Sequence, residues 1–196
     1  MTASASHPSA QSNPKKISWA AFEAKYLTRE DAWKYEWVDG IVEKSKRTMH
    51  EEHFNILANL RSFFISLLTS GKASGLLEEG IDIFFQERVH RRPDLVYFTE
   101  AQRISMAHGN REIPEFVIEI ISSNDQMNLV HKKMQHYHAT NVKVVWHIFP
   151  ELEEVHVYHG NQMTICSGEI LCSAAEVIPG FELPAAAIFA IPEGQG

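Results

Sequence analysis

Two cysteines, Cys166 and Cys172, are all that the 196-residue sequence offers for covalent cross-linking. A single C-x5-C pair builds no disulfide framework and matches no zinc-ligand spacing, so the ordinary reading is two small buried thiols in a β region. Long hydrophobic runs are also missing, none approaching the ~18 residues that span a bilayer. The opening stretch MTASASHPSAQSNPKK lacks the apolar core of a secretory signal, and the expectation is a cytoplasmic protein with no membrane partner. Positive charge is in deficit, with 18 Lys+Arg against 25 Asp+Glu and a formal net charge of −7. Such a field opposes the long-range approach of a polyanion, which argues against a protein that coats nucleic acid. It leaves room for a local site that meets a phosphate backbone through a metal ion. Neither a Gly-rich phosphate loop nor a G-x-S-x-G elbow is present, which removes nucleotide hydrolase and serine esterase readings.

What is present describes an ordinary globular chain. Hydrophobic residues make up 44% and charged residues 22%, enough for a core without staples. Residues 1–16, rich in Ser, Ala, Pro, Asn and Gln, are expected to form a disordered tail ahead of a single domain over 17–192.

Ser18 can cap a short helix through Trp19, Phe22 and Tyr26. YEWVDGIVE (35–43) predicts two strands joined by a type I′ turn at Asp39-Gly40. From His50 to Thr69 apolar residues recur at helical spacing, with Gly71 and Gly75 to end the run. GLLEEGIDIFFQE (75–87) reads as one strand bent or bulged at Gly80, and PDLVYF (93–98) as a short strand. After a polar stretch, PEFVIEIIS (114–122) has the near-continuous apolarity of a strand covered on both faces. Asn124 or Asp125 is expected to cap a helix to about Ala139. VKVVWHIF (142–149) and a hairpin over 154–166 follow, and PGFELP leads into a short apolar turn or helix. The order predicts a mixed α/β domain.

Two carboxylates stand in apolar strand sequence: Asp94 at the mouth of one strand and Glu119 between Ile118 and Ile120. Charges in such places are paired, edge-facing or metal-bound. On the following helix Met127, Val130, Met134 and Tyr137 span about 80° and define a buried stripe. Lys133 falls about 40° outside that stripe and can reach the sheet, whereas Lys132 points toward solvent. Alone, Lys133 would read as a snorkelling side chain. His53 lies on the apolar arc of the long helix, where a core histidine is the ordinary reading. Eleven histidines invite a zinc hypothesis. However, His136 and His138 diverge by about 200° around their helix. His156 and His159 have no Cys or acidic partner at a recognised spacing.

An Asp, a Glu on a neighbouring strand and a Lys on the next helix resemble the active site of the PD-(D/E)XK nuclease superfamily. More specifically the chain resembles the Uma-type family of putative restriction endonucleases. The likeness rests on YEWVDGIVE, His53, RPDLVYF (92–98), PEFVIEIIS, KMQHY (133–137), VVWHIFP (144–150) and PGFELP (179–184). The usual superfamily lysine position, two after the glutamate, is Ile121 here. The Uma-type family is apolar there and takes its lysine from the next helix, which matches Lys133. Acidic positions usual in the family are Leu129 and Phe149 in this chain.

The resemblance implies a restriction-endonuclease-like mixed β-sheet flanked by helices, with an N-terminal β-hairpin and a C-terminal hairpin. It implies Mg2+ (or Mn2+) held by Asp94, Glu119 and the Ile120 carbonyl, with Lys133 orienting or deprotonating water during hydrolysis of DNA phosphodiesters. Glu36 could add a ligand or hold a water, His53 takes a supporting place, and Tyr137 could position Lys133. A homodimer is expected, because the strands VHVYH and MTIC offer an apolar edge and two DNA strands suit a two-fold pair. The competing reading is a binding or accessory module that keeps the fold without cleaving.

Overall fold

The computed structural model of the chain describes residues 14–46, 51–123 and 125–192. Most of the expected N-terminal tail, together with His50 and Asn124, lies outside the described residues.

The N-terminal segment begins as the sequence suggests. The Ser18 side chain accepts from the Ala21 amide at the start of α1 (Trp19–Phe22), and a π-helical turn over Glu23–Leu27 follows. Strands β1 (Trp33–Val38) and β2 (Ile41–Lys46) pair antiparallel. Asp39 and Gly40 both have positive φ, 51° and 89°, as a type I′ turn requires.

Helix α2 (Glu51–Thr69) buries Ile56, Leu60, Phe64 and Leu67. The predicted single strand after it is in fact two, β3 (Leu76–Glu79) and β4 (Ile83–Gln86), which belong to different sheets. Gly80, at φ 62°, sits at the point of departure. Strand β5 (Val89–Arg91) precedes β6 (Leu95–Phe98). The polar stretch that follows contains α3 (Glu100–Ala107), closed by a capping box between Thr99 and Gln102.

Strand β7 (Phe116–Ile120), helix α4 (Met127–His138) and strand β8 (Val144–Phe149) form a parallel crossover unit. The residue capping α4 is Gln126, without a side-chain bond, while Asp125 turns back to accept from Ser122. The predicted stripe of α4 holds at Val130, Met134 and Tyr137, but Met127 is exposed. The hairpin β9 (Glu154–His159) and β10 (Gln162–Ser167) follows. A two-stranded piece, β11 (Leu171–Ser173) with β12 (Glu182–Pro184), leads to α5 (Ala185–Phe189).

Six strands form the main sheet in the order β10-β9-β8-β7-β6-β3, mixed because only β7 and β8 run parallel. Four more form a smaller antiparallel sheet, β2-β1-β5-β4. On one face of the main sheet, Leu95, Ile118 and Trp146 pack against Leu60 and Phe64 of α2 and Ile188 of α5. On the other face, Val96, Val117 and Val145 pack against Met134 and Tyr137 of α4 and against Val38, Phe85 and Val89 of the smaller sheet. Helix α4 therefore lies where the two sheets meet, and that junction positions the site. No helix among the described residues is long and apolar enough to cross a membrane.

Candidate functional site

Alternation along β1 decides which side chains reach the junction. Trp33, Tyr35 and Trp37 turn toward Phe22 and the N-terminal segment. The intervening Lys34, Glu36 and Val38 therefore face the main sheet and α4. Glu36 pairs with Glu43 across β2, and one step beyond the Trp37↔His90 pair it meets Arg91 of β5. The smaller sheet thus presents a row of Glu43, Glu36 and Arg91.

A second row crosses the main sheet. Glu119 of β7 pairs with His147 of β8, and His147 with His156 of β9. Asp94, one step before the Leu95↔Ile118 pair, continues the row on β6. These four residues share the face that α4 covers.

Asp94 and Glu119 share one cation, Lys34. Lys34 Nζ donates to Asp94 Oδ1 at 2.8 Å and lies 3.7 Å from Glu119 Oε2. The Ile120 amide donates to Asp94 Oδ2 at 2.8 Å. Lys133 Nζ reaches both oxygens of Glu119, at 3.0 and 3.1 Å, and lies 3.4 Å from Glu36. The Tyr137 hydroxyl donates to Glu119 Oε1, so it orients the carboxylate rather than the lysine. Glu36 accepts from Arg91 Nη1 and the Arg92 amide, each at 2.9 Å. Its oxygens are therefore engaged by the protein itself. Arg91 also pairs with Glu43, which Lys132 approaches from α4. Lys132 thus closes onto β2 instead of pointing into solvent.

Burial sharpens these charges. Desolvation alone would raise the pKa of Glu36, but Lys133, Arg91 and Lys34 overcome it and hold it at about 2. Desolvation likewise opposes ionisation of Asp94, and Lys34 and Lys133 prevail and lower its pKa. Lys34 is buried too, and the Asp94 and Glu119 carboxylates keep its pKa above the ordinary lysine value. Burial and the Glu119 charge drive the Tyr137 phenol well above 10, so it remains a donor. His147 is pushed down to about 4, first by burial and then by His156 and Lys133, and stands neutral at pH 7.

The row opens on a cleft of about 1390 Å³ between the β1–β2 hairpin, the start of α2, the ends of β6 and β7, and α4. Asp94, Glu119, Ile120 and Lys133 line it, and so does half-buried His53, which faces the cleft rather than the core. Leu129 is also in its wall. His147 Nε2 is buried there without a hydrogen-bond partner among the described residues.

Sequence reasoning missed Lys34, Arg91 and His147. The signal for the first was the aromatic alternation of WKYEWV, which marks one face as core and sets the charges on a second face. For His147 it was a polar residue inside a strand apolar on both sides.

Among the described residues no three His, Cys, Asp or Glu side chains are grouped to hold a metal. The donors at the site are two carboxylates, and a cation, the Lys34 ammonium, already lies between them. Two carboxylates completed by main-chain oxygen and waters fit Mg2+, which keeps much of its hydration. The histidine pairs weighed for zinc are spent elsewhere: His136 lies against Arg91, His156 near Glu154 and His159 near Glu176.

A family model, Uma2, described as putative restriction endonuclease, matches residues 19–186. The structure is similar to the crystal structure of a putative nuclease belonging to DUF820 from Anabaena variabilis, with a TM-score of 0.68 and 18% sequence identity. That similarity covers 82% of this chain and 92% of the other, and at this identity it shows the shared fold. No curated protein sequence matches the chain at a significant level.

Proposed function

The chain belongs to the Uma2 family of putative restriction endonucleases, and from that premise we propose that it hydrolyses DNA phosphodiester bonds with a divalent cation, Mg2+ or Mn2+. One observation carries the reading. Asp94 and Glu119 stand side by side at the floor of the cleft, with the Lys133 ammonium 3.0 Å from Glu119. Asp94, Glu119 and the Ile120 carbonyl would hold the divalent ion, which would supply charge neutralisation at the phosphate and activation of a water.

The chain's own residues do the rest. Lys133 stabilises negative charge developing on the phosphoryl oxygens and orients the water. Glu36 holds Lys133 from the opposite side, and Tyr137 fixes the rotamer of Glu119. His53 belongs to the wall that receives the substrate. The net charge of −7 makes substrate capture dependent on the local cations and the metal rather than on the global field. A two-fold pair remains part of the proposal, supported by the open edge strand β10 with its exposed Met163 and Ile165.

The test is cleavage of supercoiled plasmid and linear duplex in Mg2+, Mn2+ or EDTA by wild type, Asp94→Asn and Lys133→Met. Cleavage is expected only with metal, and each variant is expected to lose about 100-fold or more. Wild-type rates in both variants would remove the proposed site. Metal binding without cleavage of any nucleic acid would favour the accessory-module reading.

A further inference from the structure

Lys34 lies between the two carboxylates that the proposed function assigns to a metal. It rises from β1 in the smaller sheet, crosses to the main sheet, and places its ammonium 2.8 Å from Asp94 Oδ1 and 3.7 Å from Glu119 Oε2. Its side chain is only 14% exposed. Around the two carboxylates the charges balance: Glu36, Asp94 and Glu119 against Lys34, Lys133 and Arg91. A divalent cation entering this neutral cluster would meet an ammonium a few ångströms away, at a depth where water screens little.

The two lysines are held by different contacts. Lys133 contacts both oxygens of Glu119 and also approaches Glu36. Among the described residues Lys34 makes one hydrogen bond, to Asp94, and one longer contact, to Glu119. It also lines the cleft, so its ammonium has somewhere to go. The cleft contains an unmet polar demand as well. His147 is 4% exposed and its Nε2 has no partner among the described residues.

We propose that Lys34 is a displaceable internal cation, which clamps Asp94 and Glu119 in the metal-free protein, yields them to the divalent ion, and then meets a phosphate of the nucleic acid. The proposal rests on the reading of Asp94 and Glu119 as the metal site. It makes metal and nucleic acid cooperative without any large movement. Each favours the state in which Lys34 has left Asp94, so each tightens the other by the same factor. Lys34 is then a gate on metal affinity, and metal binding in the absence of nucleic acid is weak.

Calorimetric titration of EDTA-treated protein with Mn2+ tests this, using wild type, Lys34→Met, Lys34→Arg and Asp94→Asn. Lys34→Met is expected to bind one Mn2+ on the order of tenfold or more tighter than wild type, because the competing charge is gone. Lys34→Arg keeps the charge and is expected to bind as weakly as wild type, and Asp94→Asn not at all. A duplex with phosphorothioate linkages is expected to tighten Mn2+ binding to wild type by a similar factor, and much less to Lys34→Met. Equal affinities in wild type and Lys34→Met overturn the role of Lys34 while leaving the metal site intact. No Mn2+ binding by any of the proteins, duplex present, overturns the metal reading and this inference with it. Should Lys34→Met lose its cooperative melt, the wild-type ammonium 15N resonance of Lys34, assigned with Lys34→Arg, carries the test. It is expected to shift on adding Mg2+ and duplex, and an unmoved resonance overturns the proposal.

Discussion

Arg91 is the residue whose loss should be felt most in the architecture around the site. Its side chain is completely buried. Its Nη1 serves Glu36 and Glu43, and its Nε and Nη2 lie 3.3 and 3.1 Å from His136 Nδ1. Arg91→Met replaces the guanidinium by a shorter apolar chain and leaves two carboxylates, 4% and 9% exposed, without their shared cation. Breaking a buried pair from one side costs about 3–5 kcal/mol. Glu36 keeps the Arg92 amide and Lys133, and Glu43 keeps Lys132, so the lower half of that range, about 3 kcal/mol, is expected. A domain has about 5–15 kcal/mol in all, so this is a large fraction of the stability.

The assay is urea unfolding in EDTA, followed by tryptophan fluorescence. The midpoint should fall by about 1–2 M with an unchanged slope. Arg91→Lys keeps the charge but not the fork, and should lose less, about 1–2 kcal/mol. Adding Glu43→Gln to Arg91→Met should restore part of the loss, since the unpaired charge is then removed. The acid limb has a definite sign. Glu36 falls from 4.5 to about 2 in the fold, so its contribution is complete above pH 4.5 and is lost as pH drops toward 2. Without Arg91 the folded pKa of Glu36 should rise, so that acid-dependent loss should become smaller and end at a higher pH. A cost under about 1 kcal/mol for Arg91→Met, with the slope unchanged, would refute the claim that this arginine neutralises buried charge.

Two further outcomes follow from the same structure. His147 drops from 6.5 to about 4 on folding, so stability falls as pH goes from 6.5 toward 4, by about 2 kcal/mol at pH 5. In metal-free His147→Leu, unfolded by urea at pH 7 and pH 5, that part of the loss should vanish; an identical loss in both proteins would contradict the assignment. Gly75, at φ 93°, has no room for a side chain, since a Cβ would lie 2.4 Å from the Phe98 carbonyl oxygen. Gly75→Ala should therefore cost at least about 2 kcal/mol by the same assay, whereas Gly71→Ala, at positive φ but in open space, should cost about 1 kcal/mol. Equal costs would show that the close approach contributes nothing.

Elements with a local signature were legible in the sequence. Asp39-Gly40 announces its turn because both residues tolerate positive φ. Strands β7 and β8 are apolar apart from Glu119 and His147 because helices or the smaller sheet cover both faces. Periodicity says nothing about which sheet a strand joins, so residues 75–87 read as one strand although β3 and β4 part at Gly80. Helix α3 has no buried residue and therefore no stripe to detect; its Thr99–Gln102 box was the available signal. At the site, Asp94 and Glu119 were visible as charges in apolar surroundings, and Lys133 through its angle on the helix. Lys34 and Arg91 were hidden because their importance depends on two sheets meeting. Only the docked structure turns the charged face of β1 inward.

That dependence has a consequence for how the site is held. Glu43, Glu36 and Arg91 lie on one sheet and Asp94 and Glu119 on the other, and Lys34, Lys132 and Lys133 tie the rows across the junction. Each of these charges loses hydration when the sheets close, and each recovers it only from a partner on another element. Docking of the smaller sheet and alignment of the Asp94–Glu119 pair are therefore one event, because neither carboxylate can be desolvated without the cations that arrive with β1 and α4. A variant that loosens the smaller sheet, such as Arg91→Met, should disturb the geometry of Lys133 and Lys34 as well as stability, although Arg91 contacts neither Asp94 nor Glu119. The neutrality of the cluster also fits an acidic chain. On the proposed reading, a cleft whose charges cancel internally would owe its attraction for a polyanion to the two positive charges that a divalent ion would add.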